Sequence, residues 1–263
     1  MITNRSAGIM VGILYIVGTV AGILSRVATQ PLFGAADSLA SIATDERRLL
    51  LGALLVLTMG LALAMVPVVA FPILKRHSEV LALGYLLFRG ALETLATAVT
   101  IVAWLLLAAL GRDYAGAGSA DAARLQVLGA AARSVEDGGA VLLGIIFPLG
   151  ALMFYMVLYR ANLTPRWLAG WGLIGVVPYL VAGLLAFFRV ISLDSTTYTL
   201  LVLPLGVQEM VLAVWLIVRG FNPAASAPDA VRVKTGNALS TASVPVGTSA
   251  IQGTGPARAT FEL

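Results

Sequence analysis

Cysteine is absent from the 263-residue chain, and histidine occurs once. The first absence excludes disulfides, thiolate metal sites, iron–sulfur clusters and a cysteine nucleophile together. The second leaves His77 alone in a short polar connection, which removes histidine metal clusters and a histidine-based triad. Charge is scarce as well. Only 11% of residues are Asp, Glu, Lys or Arg, against about 25% in an ordinary soluble domain. Walker loops, HExxH and a nucleophile beside a base are also missing, so the chain is not expected to be an enzyme or to hold a cofactor or metal.

What is present is apolar sequence in long blocks. Hydrophobic residues make up 59% of the chain, and mean hydropathy is +0.95. Six blocks stand out: Ala7–Ser25, Leu49–Leu74, Val80–Leu110, Gly138–Tyr159, Trp167–Phe188 and Tyr198–Val218. Each reaches about the 20 residues that cross roughly 30 Å of hydrocarbon as a helix, and the third is long enough to tilt or to project from the bilayer. The short alternating segments of a transmembrane barrel are lacking. The expected fold is therefore an all-α integral membrane bundle of six transmembrane helices over residues 1–221. The first block is longer than a signal-peptide core and VATQP is a poor cleavage site, so it is read as a retained helix. Residues 222–263 turn to Ala, Ser, Thr, Gly, Pro and Val without periodicity and are expected to form a disordered cytoplasmic tail.

Between the third and fourth blocks, Leu125, Leu128, Ala132 and Val135 recur at helical spacing, which suggests a short interfacial helix; the alternative is a partly ordered loop. The pI near 9.7 does not signal nucleic acid, because the basic residues are scattered between the blocks. They read as topology determinants. With the N-terminus inside, nine basic residues face the cytoplasm and seven face out. The external Arg47 and Arg48 follow acidic Asp45 and Glu46, whereas KRH and LYRANLTPRW contain no acid. Both features point to N-in, C-in. Asp37, Asp45 and Glu46 are read as a solvated acidic loop in preference to a cation site.

The third block carries GYLLFRGALETLATAVT, with two ionisable residues in apolar sequence. Tyr85, Arg89, Glu93, Thr97 and Thr100 are spaced 4, 4, 4 and 3 and so share one helix face. A charged side chain at a helix centre costs about 2.5–3.5 kcal/mol even on permissive insertion scales, so this stripe must face the bundle interior or a wet cavity. Arginine has five donors, more than an intrahelical pair with Glu93 can use. The sixth block offers Gln208 and Glu209. Arg89 is twelve residues after His77 and Glu209 is ten before Arg219, so both lie about 15–18 Å from the same end. Glu209 is expected to meet Arg89. The cluster Tyr85, Arg89, Glu93, Thr97, Gln208 and Glu209 then has two readings. It is either a structural clamp between helices or the centre of a small proton-coupled transporter or ligand-binding protein, with Glu209 taking the proton.

Gly8, Gly12, Gly18 and Gly22 form two Gly-x-x-x-Gly pairs, read as tight packing within the bundle ahead of a dimer seam. Pro67, Pro72, Pro148, Pro178 and Pro204 are read as tolerated kinks ahead of hinges. Trp167 and Trp171 fit an interfacial belt with Arg166 as anchor.

RSAGIMVGILYIVGTVAGILS, FRGALET, LTPRWLAGWGLIG and LPLGVQEMVLAVWLIVRGF, in that order, resemble the bacterial multi-pass membrane family known as domain of unknown function 4386. The resemblance spans roughly residues 5–221. It implies a six-helix protein of the bacterial cytoplasmic membrane with the lipid bilayer as partner. It supplies no catalytic residues, no substrate and no oligomeric state, and leaves a small-ligand or protein partner open.

Overall fold

The computed structural model describes residues 3–35 and 37–222, and among them every regular element is helical. The chain runs α1 (Asn4–Phe33), α2 (Ser38–Thr44), α3 (Glu46–Leu74), α4 (Glu79–Tyr85), a π-helical segment (Leu86–Leu92), α5 (Glu93–Tyr114), α6 (Ser119–Arg160), α7 (Arg166–Phe187) and α8 (Thr196–Arg219). α4, the π segment and α5 follow without interruption. Six helices are long and apolar enough to cross a membrane: α1, α3, Glu79–Tyr114, α6, α7 and α8. Apart from Asn222, the expected tail lies outside the described residues.

Local chemistry sets the helix starts. Thr3, Asp37, Ser78 and Ser195 each accept a hydrogen bond from a backbone N–H in the first turn that follows, satisfying a donor that has no partner within its helix. α8 ends at Gly220, which takes a positive φ of 71°. That cap also allows close approach, since a Cβ on Gly8 would lie 2.7 Å from Gly220 Cα.

The six long helices form a ring in chain order. α1 packs on α3, α3 on α5, α5 on α6, α6 on α7, α7 on α8, and α8 back on α1. Short connections force neighbours to run antiparallel, so chain order becomes spatial order. The Gly-x-x-x-Gly pairs are spent inside this ring. Gly8 and Gly12 lie against α8, and Gly18 and Gly22 against Leu63 and Met59 of α3. The outward faces are apolar, with Ile13, Val17, Leu54, Leu95, Val102 and Ile174 exposed. An apolar exterior on an apolar helix ring is the pattern of contact with lipid.

Two apolar cores fill the ring. The larger, at and above the end that holds both chain termini of the bundle, includes Val11, Tyr15, Leu74, Tyr85, Phe154, Leu158, Leu212 and Phe221. The smaller, at the opposite end, gathers Leu32, Ile42, Leu49, Trp104, Leu107 and Ala132.

Three departures from the sequence reading have physical causes. α1 continues to Phe33, past Ser25 and through Pro31. Ser25 and Thr29 are buried there: Ser25 Oγ donates to the Gly52 carbonyl of α3 and Thr29 Oγ1 to the Ser25 carbonyl. The segment around Leu125–Val135 is helical but is not a separate element, because it runs into the fourth crossing helix as one 42-residue α6. Gly138 and Gly139 look like a break in sequence, yet a glycine inside a helix costs only about 1 kcal/mol. Here Gly139 is buried against Ala96 and Val99 of α5. The third departure is the π-helical segment around Arg89, where α-helical spacing was expected.

Candidate functional site

The middle of the ring has no helix of its own and is closed by side chains. Arg89, in the π segment of the third crossing helix, is 2% exposed. Its Nη1 lies 3.2 Å from Glu93 Oε2 as an ion pair, and its Nη2 donates to Glu209 Oε1 of α8 at 3.4 Å. The meeting of Arg89 with Glu209 expected from matching depth is therefore present. The third and sixth crossing helices are not neighbours in the ring, so this contact crosses the bundle interior.

Aromatic rings complete the enclosure. The guanidinium lies over Phe147 of α6, 4.5 Å from the ring centroid, and 5.5 Å from the ring of Tyr15 of α1. Such cation–π contacts gain strength where water is excluded. The Tyr15 and Tyr85 hydroxyls are 3.2 Å apart, and Tyr85 stacks on Phe154 with centroids at 4.6 Å. Arg89 thus touches groups from α1, α6 and α8 as well as its own helix.

Gln208 and Thr97 are buried too, but they serve other contacts. Gln208 Oε1 accepts from the Tyr155 hydroxyl at 2.6 Å, and Gln208 Nε2 donates to the Leu168 carbonyl at 3.0 Å, tying α8 to α6 and α7. Thr97 donates back to the Glu93 carbonyl at 2.9 Å and packs on Gly60 of α3. Tyr15 and Phe147 are the members that sequence reasoning missed. An aromatic residue in an apolar block reads as core, and only the partner from another helix distinguishes it.

Two polar atoms of the cluster are buried without hydrogen-bond partners among the described residues: Arg89 Nε and Glu93 Oε2, the latter close to Arg89 but without bonding geometry. The π segment contributes here. Its i→i+5 bonding widens the turn that carries Arg89, a distortion found often at functional sites. A cavity of about 900 Å³ opens between Val99, Asp137, Arg189 and Asp194, and one of about 400 Å³ by Thr164, Arg166 and Arg219. Neither is lined by Arg89, Glu93 or Glu209.

The acidic loop is structural where it is described. Asp37 caps α2 through Ala40 N and accepts from the Tyr114 hydroxyl at 2.8 Å and Gln126 Nε2 at 3.1 Å. These donors hold its carboxyl below the usual range. Asp45 pairs with Arg48, and Glu46 with Arg112. No group of three or more metal-ligating side chains gathers among the described residues.

Comparison with curated proteins and with solved structures gives no match. The family model described as a domain of unknown function, DUF4386, matches residues 10–220, which takes in five of the long helices, α1 from residue 10 onward and the whole Arg89 cluster, and the chain belongs to that family.

Proposed function

We propose that the chain is a multi-pass protein of the bacterial cytoplasmic membrane in which Arg89, Glu93 and Glu209 form a permanent clamp across the helix ring. One observation carries this reading: Arg89 joins two helices that are not neighbours in the ring, from a site 2% exposed. A tie across the middle fixes the ring's inner dimension as neighbour-to-neighbour packing cannot. No catalytic role is assigned, and the clamp needs neither cofactor nor metal.

The same reading sets the chain N-in and C-in. At the end that carries residue 5 and the KRH turn, six basic residues of the described chain stand against one acid, Glu79. At the other end seven arginines stand against eight acids, and five of the seven are ion-paired: Arg26, Arg48, Arg112, Arg124 and Arg133. The orientation itself rests on the Lys/Arg bias of the whole sequence, nine on the side of residue 5 against seven on the other. The amino-terminal part of α6 then projects on the external side, with the stretch around Leu125 lying near that interface.

A second reading, proton or small polar ligand handling with Glu209 as the protonatable group, draws on the π segment and the two unpartnered atoms. Thermal stability against pH in lipid nanodiscs, for the wild type and Glu209→Gln, separates the two. The clamp predicts that the variant loses stability at every pH, by about 1.5–3 kcal/mol, because the charged hydrogen bond that joins the two helices has gone although Glu93 still balances Arg89. A variant as stable as the wild type that erases a wild-type step between about pH 5 and 8 would sink the clamp and support proton handling.

A further inference from the structure

The connection Ala161–Pro165 and the end of α8 enclose a cavity of about 400 Å³ lined by Asn162, Thr164, Arg166, Trp215 and Arg219. It lies at the start of α7, a 22-residue helix whose N-cap is Pro165, with no side chain capping it. The amides of Arg166 and Trp167 begin that helix, where backbone N–H groups have no internal acceptor and the helix dipole favours an anion. Thr164 supplies an independent sign. It is 4% exposed, and its hydroxyl is buried without a partner among the described residues. A buried hydroxyl is rarely left so.

Among the other lining side chains, Arg166 and Arg219 are cationic donors, and Asn162 brings both an amide oxygen and an amide nitrogen. Arg166 Nε donates to Asn162 Oδ1 at 2.8 Å, and its guanidinium lies 6.0 Å from the Tyr159 ring centroid. Neither Arg166 nor Arg219 is in a salt bridge among the described residues, although five arginines at the far end are. The pocket therefore combines positive charge, an uncapped helix start and a buried unpartnered hydroxyl in its wall, with no acid among the described residues that line it.

An apolar groove of about 590 Å³ shares Trp215 and Arg219 with this pocket and follows Val207, Val211, Val214 and Val218 along the outer face of α8. From Arg219 to Val207 it descends twelve residues, about 18 Å. That matches the depth of one leaflet, about 15 Å. A phosphate-binding head joined to a leaflet-deep apolar trough has the shape of one molecule. We propose that this site binds the phosphate of an anionic phospholipid, with an acyl chain along α8. Clusters of basic residues at the membrane surface recognise such headgroups.

The test is titration of the full chain in neutral detergent with phosphatidylglycerol or phosphatidylcholine of identical acyl chains, read by native mass spectrometry. Phosphatidylglycerol should be retained about tenfold more tightly, and Arg166→Gln/Arg219→Gln should remove that preference. Thr164→Val should weaken retention severalfold. It should leave the lipid-free protein at least as stable, because the change deletes an unsatisfied hydroxyl. Equal retention of the two lipids, or undiminished selectivity in the double arginine variant, would overturn the proposal. Displacement of phosphatidylglycerol by millimolar inorganic phosphate would assign the pocket to a free anion and overturn the lipid.

Discussion

At the scale of single residues, the fate of each polar group was legible where a charge had nowhere else to go. Arg89 in an apolar block had to find an anion, and counting residues from the helix ends was enough to name Glu209. Gln208 was placed in the same cluster because it is adjacent to Glu209, yet neighbours in a helix point about 100° apart, and its amide meets Tyr155 and Leu168 instead. The acidic loop gives the clearest pH dependence outside the membrane. Asp37 has a depressed pKa through donors from Ala40, Tyr114 and Gln126, so its stabilisation is full above the ordinary carboxylate value of 3.8 and fades as pH falls below it. Asp37→Asn should flatten the acid limb of a thermal-stability profile between about pH 5 and pH 2. A limb unchanged in the variant would show that other carboxylates govern it.

Elements were legible by length and apolar content, and the six crossings were recovered on that basis. Their boundaries were not, since glycine and proline signal a stop only when no neighbouring helix compensates. Pro148 shows how compensation works. It lacks the N–H that would bond the Gly144 carbonyl, and that carbonyl is instead packed against Gly183 of α7. A side chain at 183 would collide with backbone, which cannot swing aside. Gly183→Ala should therefore destabilise the bundle by about 1–3 kcal/mol, measured as a lowered Tm in nanodiscs. Gly170→Ala is the matched control. Its Cβ would meet only Tyr159 at 3.9 Å, so it should be neutral or slightly stabilising. Equal effects from the two would refute tight α6–α7 contact.

At the scale of the molecule, the pairing of Arg89 with Glu209 was legible in the sequence, whereas the ring order that makes this pairing a tie across the interior needed the structure. Absence of cysteine makes the topology easy to test. Single cysteines at Ser78 and Ser192 lie in connections at opposite ends. In intact cells a membrane-impermeant maleimide should label Ser192→Cys and spare Ser78→Cys, and the reverse pattern would invert the orientation. The clamp also has an electrical consequence. With both carboxylates ionised, the guanidinium between them would leave a net charge of −1 near mid-depth. The energised membrane acts on that charge with about half of the 2.3 kcal/mol per 100 mV that a full crossing involves. The resting voltage would then pull the third and sixth crossing helices toward its positive side, with roughly 1 kcal/mol per 100 mV as the energy of carrying the charge all the way there from mid-depth. Uptake of a single proton would switch that force off.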